Sequence, residues 1–207
     1  LVLVSIYLFG WRSLALLLVV LVFGIGTEGL FTWREGKPVT SAVLVSCLIF
    51  SLSLPSSIPF WMAALGIVAG VALGKMVFGG FGRNVFNPAM VGRCIIYINF
   101  PLEMTNRWVV PLWGGAGGLV AWSAPADAVS RATPLAELRQ GIPFPIQDLL
   151  LGNTSGCLGE TSALLILLCG AYLFYTKAAS WRLALSSVAG GIVLSSLLRV
   201  FGLHAIP

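Results

Sequence analysis

Most charged side chains in this sequence lie in short stretches between long apolar runs. Residues 13–32 contain one charged side chain, Glu28, and the run ends at the WREGK sequence of residues 33–37. A helix crosses the hydrocarbon core of a bilayer with about 20 apolar residues, and charges are costly inside it. Charged residues make up 9% of the chain, against about 25% in soluble domains. We therefore predict an all-α integral membrane protein.

The apolar runs predict a multi-span helical bundle with three regions. A first membrane region, 1–101, and a following one, 161–207, flank a loop over 102–160 that is long enough to be functional. The predicted spans are 13–32, 39–54, 59–78, 87–101, 161–176 and 181–202. The apolar opening, LVLVSIYLF, is too short to span and has no basic region of a signal peptide. We expect an internal piece of a longer protein, truncated at the C-terminus.

Basic residues indicate an orientation for these spans. Threading the spans alternately places one set of cations on one side: Arg34, Lys37, Lys75, Arg83, Lys177 and Arg182. Short loops rich in Lys and Arg face the cytoplasm, so the 102–160 loop is predicted to face outward. The net charge of +5 is explained by this topology and predicts no nucleic-acid partner. The four cysteines lack CxxC spacing, which predicts no metal site.

Two stretches are not typical of a continuous spanning helix. They are GGFGRNVFNPAMVGR, residues 79–93, and LLLGNTSGCLGETS, residues 149–162. Broken helices at membrane depth are tolerated where they line a cavity or lie buried in protein. Paired interruptions of this kind mark binding sites in transporter folds built from repeats. Both stretches are therefore candidate site walls.

The polar residues around the first interruption allow two interpretations. Asn84, Asn87 and Pro88 either cap the start of a helix or belong to a half-helix that offers N–H groups to a polar ligand. Arg93 either binds a phosphate, a quinone carbonyl or a carboxylate such as Glu28, or extends to the surface as a snorkelling side chain. These alternatives stay open on the residues alone.

Glu28 is the most conspicuous ionisable residue of the spans. An intramembrane carboxylate is by default a candidate for an ion or proton path, or pairs with a cation. The alternative is an interfacial position one turn from the WREGK sequence. Glu160, followed by Thr161 and Ser162, is typical of a capping group, and no catalytic residue is predicted because hydrolytic motifs are missing from the sequence.

The loop sequence DAVSRAT, residues 127–133, resembles the flavinylation motif D-x-x-S-G-A-T. That motif belongs to the B subunit of the Na+-translocating NADH:quinone oxidoreductase (Nqr) and the D subunit of the related Rnf complex. Further blocks resemble this family in the same order, namely GKMVFGGFGRNVFNPAMVGR, FPLEM, ATPL, GETSALLILLCGAYL and ASWR. One position departs from the motif, because Arg131 replaces its glycine.

The resemblance implies residue roles. Thr133 would carry FMN through a phosphoester bond, with Asp127, Ser130 and Ala132 completing the motif. A non-covalent riboflavin would lie in the membrane region, with the break at residues 84–88 (Asn84, Asn87, Pro88) and Arg93 as its expected surroundings. Glu28 matches a position that the family associates with sodium passage. The implied fold has inverted repeats and half-helices, similar to urea and ammonium channels.

The resemblance also implies a function and partners. We expect a multi-pass subunit of a redox-driven Na+ pump in the cell inner (plasma) membrane, in contact with lipid, which passes electrons towards quinone (Nqr) or between ferredoxin and NAD (Rnf). The other complex subunits and an FMN transferase are the implied protein partners. Two alternatives are a channel or transporter for a small polar solute, and a structural subunit in which Arg131 prevents flavinylation. The choices between Nqr and Rnf, and between Na+ and H+, stay open.

Overall fold

The computed structural model describes residues 1–34, 36–105, 108–112, 117–123 and 146–200. Within these ranges the chain forms helices, with one isolated bridge between Pro55 and Cys157 and no β-strand. The helices are α1 (Val2–Phe9), α2 (Trp11–Arg34), α3 (Ala42–Leu52), α4 (Phe60–Val71), α5 (Pro88–Asn99), α6 (Pro101–Thr105), α7 (Ile146–Leu151), α8 (Ala163–Tyr175) and α9 (Trp181–Val200). A π-helical turn, Ala72–Met76, continues α4, and a 3-10 turn covers Gly117–Leu119. The all-α prediction is confirmed for these ranges.

Two of these helices contain segments long and apolar enough to cross a membrane, Trp11–Trp33 and Trp181–Leu198. They correspond to the predicted spans 13–32 and 181–202. Three other predicted spans, 39–54, 87–101 and 161–176, contain the helices α3, α5 and α8, which have 11, 12 and 13 residues. At 1.5 Å per residue these helices reach about 16–20 Å, less than the hydrocarbon thickness of about 30 Å. The number of membrane crossings and the domain bounds 1–101, 102–160 and 161–207 stay predictions.

The first compact unit, Leu1–Leu164, has its core where α4 packs against α2 and α5. Leu16, Val20, Phe50, Ile67 and Ile96 are fully buried there. α4 and α5 approach closely because glycines face each other. A Cβ atom at Gly70 would collide with the Pro88 carbonyl oxygen, and it would lie 3.0 Å from the backbone nitrogen of Gly92.

The second interruption, 149–162, docks on the end of α3. The backbone N–H of Leu158 donates to the carbonyl of Leu54 at 3.1 Å, and the N–H of Gly159 donates to the carbonyl of Leu52 at 2.8 Å. The side chains of Thr154, Ser155, Cys157, Leu158 and Thr161 are buried. This part of the predicted 102–160 loop is therefore packed protein.

The second unit, Leu165–Pro207, contains most of α8 and all of α9. The described side chains of α9 are largely exposed, including Leu183, Val188, Ile192 and Leu197. Leucine, valine and isoleucine side chains on all faces of a helix are typical of a helix that contacts lipid or other apolar helices. α9 therefore has the composition of a membrane helix.

Candidate functional site

The carboxylate of Glu28 forms a buried ion pair with Lys75. The Lys75 ammonium lies 2.6 Å from Glu28 Oε2, and Lys75 and Glu28 are 2% and 1% exposed, respectively. Glu28 lies in the penultimate turn of α2, and Lys75 lies 47 positions later in the π turn after α4. A charge at such a depth is stable only when it is paired and hydrogen-bonded. The pair thus joins two helices that lie far apart in sequence.

Thr40, just before α3, completes the cluster. Its hydroxyl donates to Glu28 Oε1 at 2.6 Å, and its backbone N–H donates to the same oxygen at 3.0 Å. The Thr40 hydroxyl oxygen also accepts a hydrogen bond from the Lys75 ammonium at 2.8 Å. Because a hydroxyl can donate once and accept, Thr40 bonds both charged partners at the same time. Glu28, Lys75 and Thr40 form a closed triangle, called here the Glu28 cluster.

The chain around Lys75 is irregular on its C-terminal side. The π turn ends in a loop in which Gly79, Gly80 and Gly82 have positive φ angles of 98°, 93° and 84°, which L side chains rarely adopt. Phe81 in this loop has its ring centroid 5.9 Å from the Lys75 ammonium, within the range of a cation–π contact. Single π turns occur frequently at functional sites, and here the π turn carries the buried lysine.

The chemistry of the Glu28 cluster suits a cation. Carboxylate and hydroxyl oxygens are the ligands that hard cations prefer, and acidic residues in apolar spans typically mark ion pathways. The pair has no net charge, so it resides in the apolar interior at a lower cost than either charge alone. The arrangement can therefore hold one cation, which in this structure is the Lys75 ammonium.

Two interpretations of charged residues need correction. Lys75, taken from the sequence as a charge marking one membrane side, is buried and paired with Glu28. Arg93, considered as a partner for Glu28, instead donates to Glu160 Oε1 at 3.4 Å and to the sulfur of Cys157 at 3.7 Å. Thr40 and Lys75 were missed as site residues, although a lysine inside the apolar run 59–78 carries the same signal as Glu28.

The Arg93 contacts tie α5 to the 149–162 segment. Arg93 and Glu160 are 31% and 58% exposed, respectively. Cys157 is buried, and burial raises the pKa of its thiol to about 12, so the thiol is protonated and unreactive near neutral pH. Arg93 is outside the set of residues that line the groove described next. Arg93 thus joins α5 to the 149–162 segment, and its predicted part in a cofactor site stays a prediction.

The residues Asn84, Asn87 and Pro88 lie at the start of α5. Asn87 is the N-cap, and its side-chain oxygen accepts from the backbone N–H of Ala89 at 3.0 Å; Pro88 is the first helical residue. The Asn84 amide donates to the carbonyl of Phe86 at 3.1 Å. The capping interpretation of Asn87 and Pro88 thus describes the observed geometry.

The same residues line a groove of about 610 Å³ between α3 and the loop before α5. The groove combines apolar and hydroxyl or amide side chains, namely Ser41, Ala42, Val45, Ser46, Ile49, Phe81, Asn84, Val85, Phe86, Asn87 and Pro88. Ligand sites commonly have this size and a few polar groups in an apolar lining. The groove therefore combines a ligand-sized volume with a mixed apolar and polar lining.

The motif residues Asp127, Ser130, Ala132 and Thr133 lie outside the described residues, as does Arg131. Their predicted role in covalent FMN attachment stays a prediction. The distance between that motif and the Glu28 cluster is likewise outside what the structure describes.

Comparison with known proteins gives consistent findings. Residues 1–206 match the model of the NQR2, RnfD, RnfE family. Curated relatives, each named as the B subunit of a Na(+)-translocating NADH-quinone reductase, occur in Pseudoalteromonas atlantica (38% identity over 181 residues, 84% of this chain and 42% of the relative), Azotobacter vinelandii (38% over 180, 87% and 43%) and Klebsiella pneumoniae (33% over 218, 96% and 50%). The chain spans about half the length of the curated relatives it matches, or less.

Proposed function

The chain belongs to the NQR2, RnfD, RnfE family, and from this premise we propose that it is part of a membrane subunit of a redox-driven Na+ pump. In this proposal the complete subunit lies in the cell inner membrane as a multi-pass protein. It lies on the path of electrons from NADH towards quinone, together with the other subunits of an Nqr-type complex. The names of the three relatives favour quinone over ferredoxin chemistry, since each is named as a subunit of an NADH-quinone reductase.

The observation that carries the ion-transport part of this proposal is the Glu28 cluster. A carboxylate that is 1% exposed and lies in an apolar helix of 24 residues needs a compensating partner. Glu28 and Thr40 together present three oxygens at one point between α2 and α3. Glu28 is the proposed Na+-binding residue, and Thr40 orients its carboxylate.

The proposed cofactors are FMN, attached to Thr133 by a phosphoester bond, and a non-covalent riboflavin. A flavin supplies one- or two-electron transfer when bound, while the protein supplies position, electrostatics and exclusion of water. Asp127, Ser130 and Ala132 complete the attachment motif, which an FMN transferase recognises in this proposal. The groove beside Asn84, Asn87 and Pro88 is the proposed riboflavin site, since its volume and lining fit the ring system.

Covalent flavin is the feature that separates this proposal from a solute channel or a structural subunit. The experiment is flavin fluorescence of the full-length subunit in a denaturing gel, after co-production with an FMN transferase. Thr133→Ala should abolish the fluorescent band, while Thr176→Ala, at an exposed threonine of another segment, should retain it. A wild-type subunit that carries no flavin and conducts a small polar solute in liposomes would support the channel alternative.

The role of Glu28 is tested separately from flavin content. Glu28→Gln in the full complex should slow 22Na+ uptake into proteoliposomes and leave flavin content unchanged, because the cluster and the attachment motif are distinct sites in sequence. Unchanged uptake would remove Glu28 from the ion path. Arg131→Gly, which restores the glycine of the family motif, should give at least as much bound flavin as the wild type.

A further inference from the structure

The Lys75 ammonium is paired with Glu28, the carboxylate that is proposed above to bind Na+. It lies 2.6 Å from Glu28 Oε2, while both donors of Thr40 are directed at Oε1. Each carboxylate oxygen therefore already has a hydrogen-bond donor. Since Lys75 neutralises Glu28, the pair also has little long-range attraction for a second cation.

A cation cannot simply join this arrangement. A Na+ ion coordinated by Glu28 would lie within a few ångströms of the Lys75 ammonium, and like charges so close repel strongly in an apolar interior. The Thr40 hydroxyl, which accepts from Lys75 at 2.8 Å, would also have to exchange that partner for the ion. Lys75 and Na+ are therefore alternative occupants of one site.

An aromatic side chain lies beside the Lys75 ammonium. The Phe81 ring lies 5.9 Å from the ammonium, and an aromatic face attracts a cation. Phe81 is 67% exposed and lies between glycines with positive φ. The lysine side chain has a flexible four-carbon stem, so a change of rotamer can bring its ammonium towards Phe81 without unfolding α4.

We propose that Lys75 is a tethered competitor for Na+ at Glu28, which leaves the carboxylate when Na+ binds and returns to it when Na+ departs. This inference rests on the proposed function, in which Glu28 lies on the Na+ path. Such a competitor weakens the apparent binding of Na+. The apparent Kd equals the intrinsic Kd divided by the fraction of molecules in which the carboxylate is free of Lys75. It also prevents a bare buried carboxylate from holding the ion too long, because the returning ammonium replaces the departing cation.

The experiment measures the Na+ dependence of NADH-driven turnover in the full complex, with kcat and the half-saturating Na+ concentration determined separately. Lys75→Met removes the competing charge and should lower the half-saturating concentration by about tenfold or more, with a reduced kcat because release slows. Lys75→Arg keeps the charge and adds bidentate bonding to the carboxylate, so it should raise that concentration. Lys177→Met, the same change at an exposed lysine, should leave both values unchanged.

Two failures are distinguishable. A Glu28→Gln complex with an unchanged Na+ dependence would overturn the proposed ion path itself. If Glu28→Gln alters the Na+ dependence but Lys75→Met and Lys75→Arg leave it unchanged, Lys75 is a structural partner only and the competitor is refuted. If the Lys75→Met complex does not assemble, the Lys75→Arg complex decides the question. A raised half-saturating Na+ concentration supports the competitor, and an unchanged or lowered one refutes it.

Discussion

A double-mutant cycle on Glu28 and Lys75 tests the energetics of the buried pair. Lys75→Met leaves a carboxylate at a position that is 1% exposed, and Glu28→Gln leaves an ammonium at a position that is 2% exposed. Removing one partner of a buried ion pair costs about 3–5 kcal/mol, because the remaining charge is uncompensated. The double variant Glu28→Gln/Lys75→Met leaves no charge, and the glutamine amide retains the ability to accept from Thr40.

The expected result is that the double variant is more stable than either single variant. If each single variant loses about 3–5 kcal/mol, the double variant should recover most of that loss, since neutral replacement of a buried pair is often close to neutral in stability. The competing expectation comes from exposed ion pairs, which contribute about 0–1 kcal/mol. Glu28 and Lys75 are only 1% and 2% exposed, so the values measured for exposed ion pairs do not apply to them.

The measurement is the free energy of unfolding of the full-length subunit in mixed micelles, under conditions where refolding is reversible. Lys177→Met serves as the matched control, because the same substitution at an exposed site should change stability by no more than about 0.5 kcal/mol. If the two single variants lose stabilities whose sum equals the loss of the double variant within about 0.5 kcal/mol, Glu28 and Lys75 are not coupled. That result would refute the claim that the pair is held together in the protein interior.

Three further predictions concern packing, capping and thiol access. Gly70→Leu should destabilise the subunit by about 1–3 kcal/mol or prevent its folding, because a side chain there meets the backbone of α5, whereas Gly26→Ala has open space and should be tolerated. Asn87→Ala should cost about 1 kcal/mol through loss of the α5 N-cap. Maleimide should label the exposed Cys94 and leave Cys157 unlabelled near pH 7, since Cys157 is buried and its pKa is raised to about 12.

Each of these predictions has a simple contradiction. Equal thermal unfolding of Gly70→Leu and Gly26→Ala would mean that α4 and α5 do not touch at that glycine. A fully stable Asn87→Ala would mean that the side chain caps nothing. Rapid labelling of Cys157 in the folded subunit, detected by peptide mass, would mean that the 149–162 segment does not pack on α3.

The sequence alone predicted the structural features that are set by residues adjacent along the chain, such as helix starts and apolar runs. Asn87 followed by Pro88 predicted a helix start, and α5 begins there, because an N-cap and a proline at the first position act on the backbone within one turn. The run 13–32 predicted a long apolar helix, and α2 contains it. Helix lengths were less predictable. For example, α3 ends at Leu52, whose carbonyl accepts a hydrogen bond from the backbone N–H of Gly159 in the distant 149–162 segment.

The resemblance to a family was also available from the sequence, because it depends on the order of short blocks. The match of residues 1–206 to the family model confirms it. The flavin attachment at Thr133 and the ion path through Glu28 stay predictions, and they are the parts of the proposed function that experiments on the full-length subunit can decide.

Glu28 could be identified from the sequence as a costly charge in an apolar run, but its partner could not. The sequence offers several cations that could compensate it, and the sequence-based alternatives included Arg93. Only the tertiary structure places Lys75, 47 positions away, and Thr40 on the two carboxylate oxygens. The reason is physical: a charge within a run of apolar residues is visible in the local sequence, whereas the partner that compensates it depends on which helices pack together.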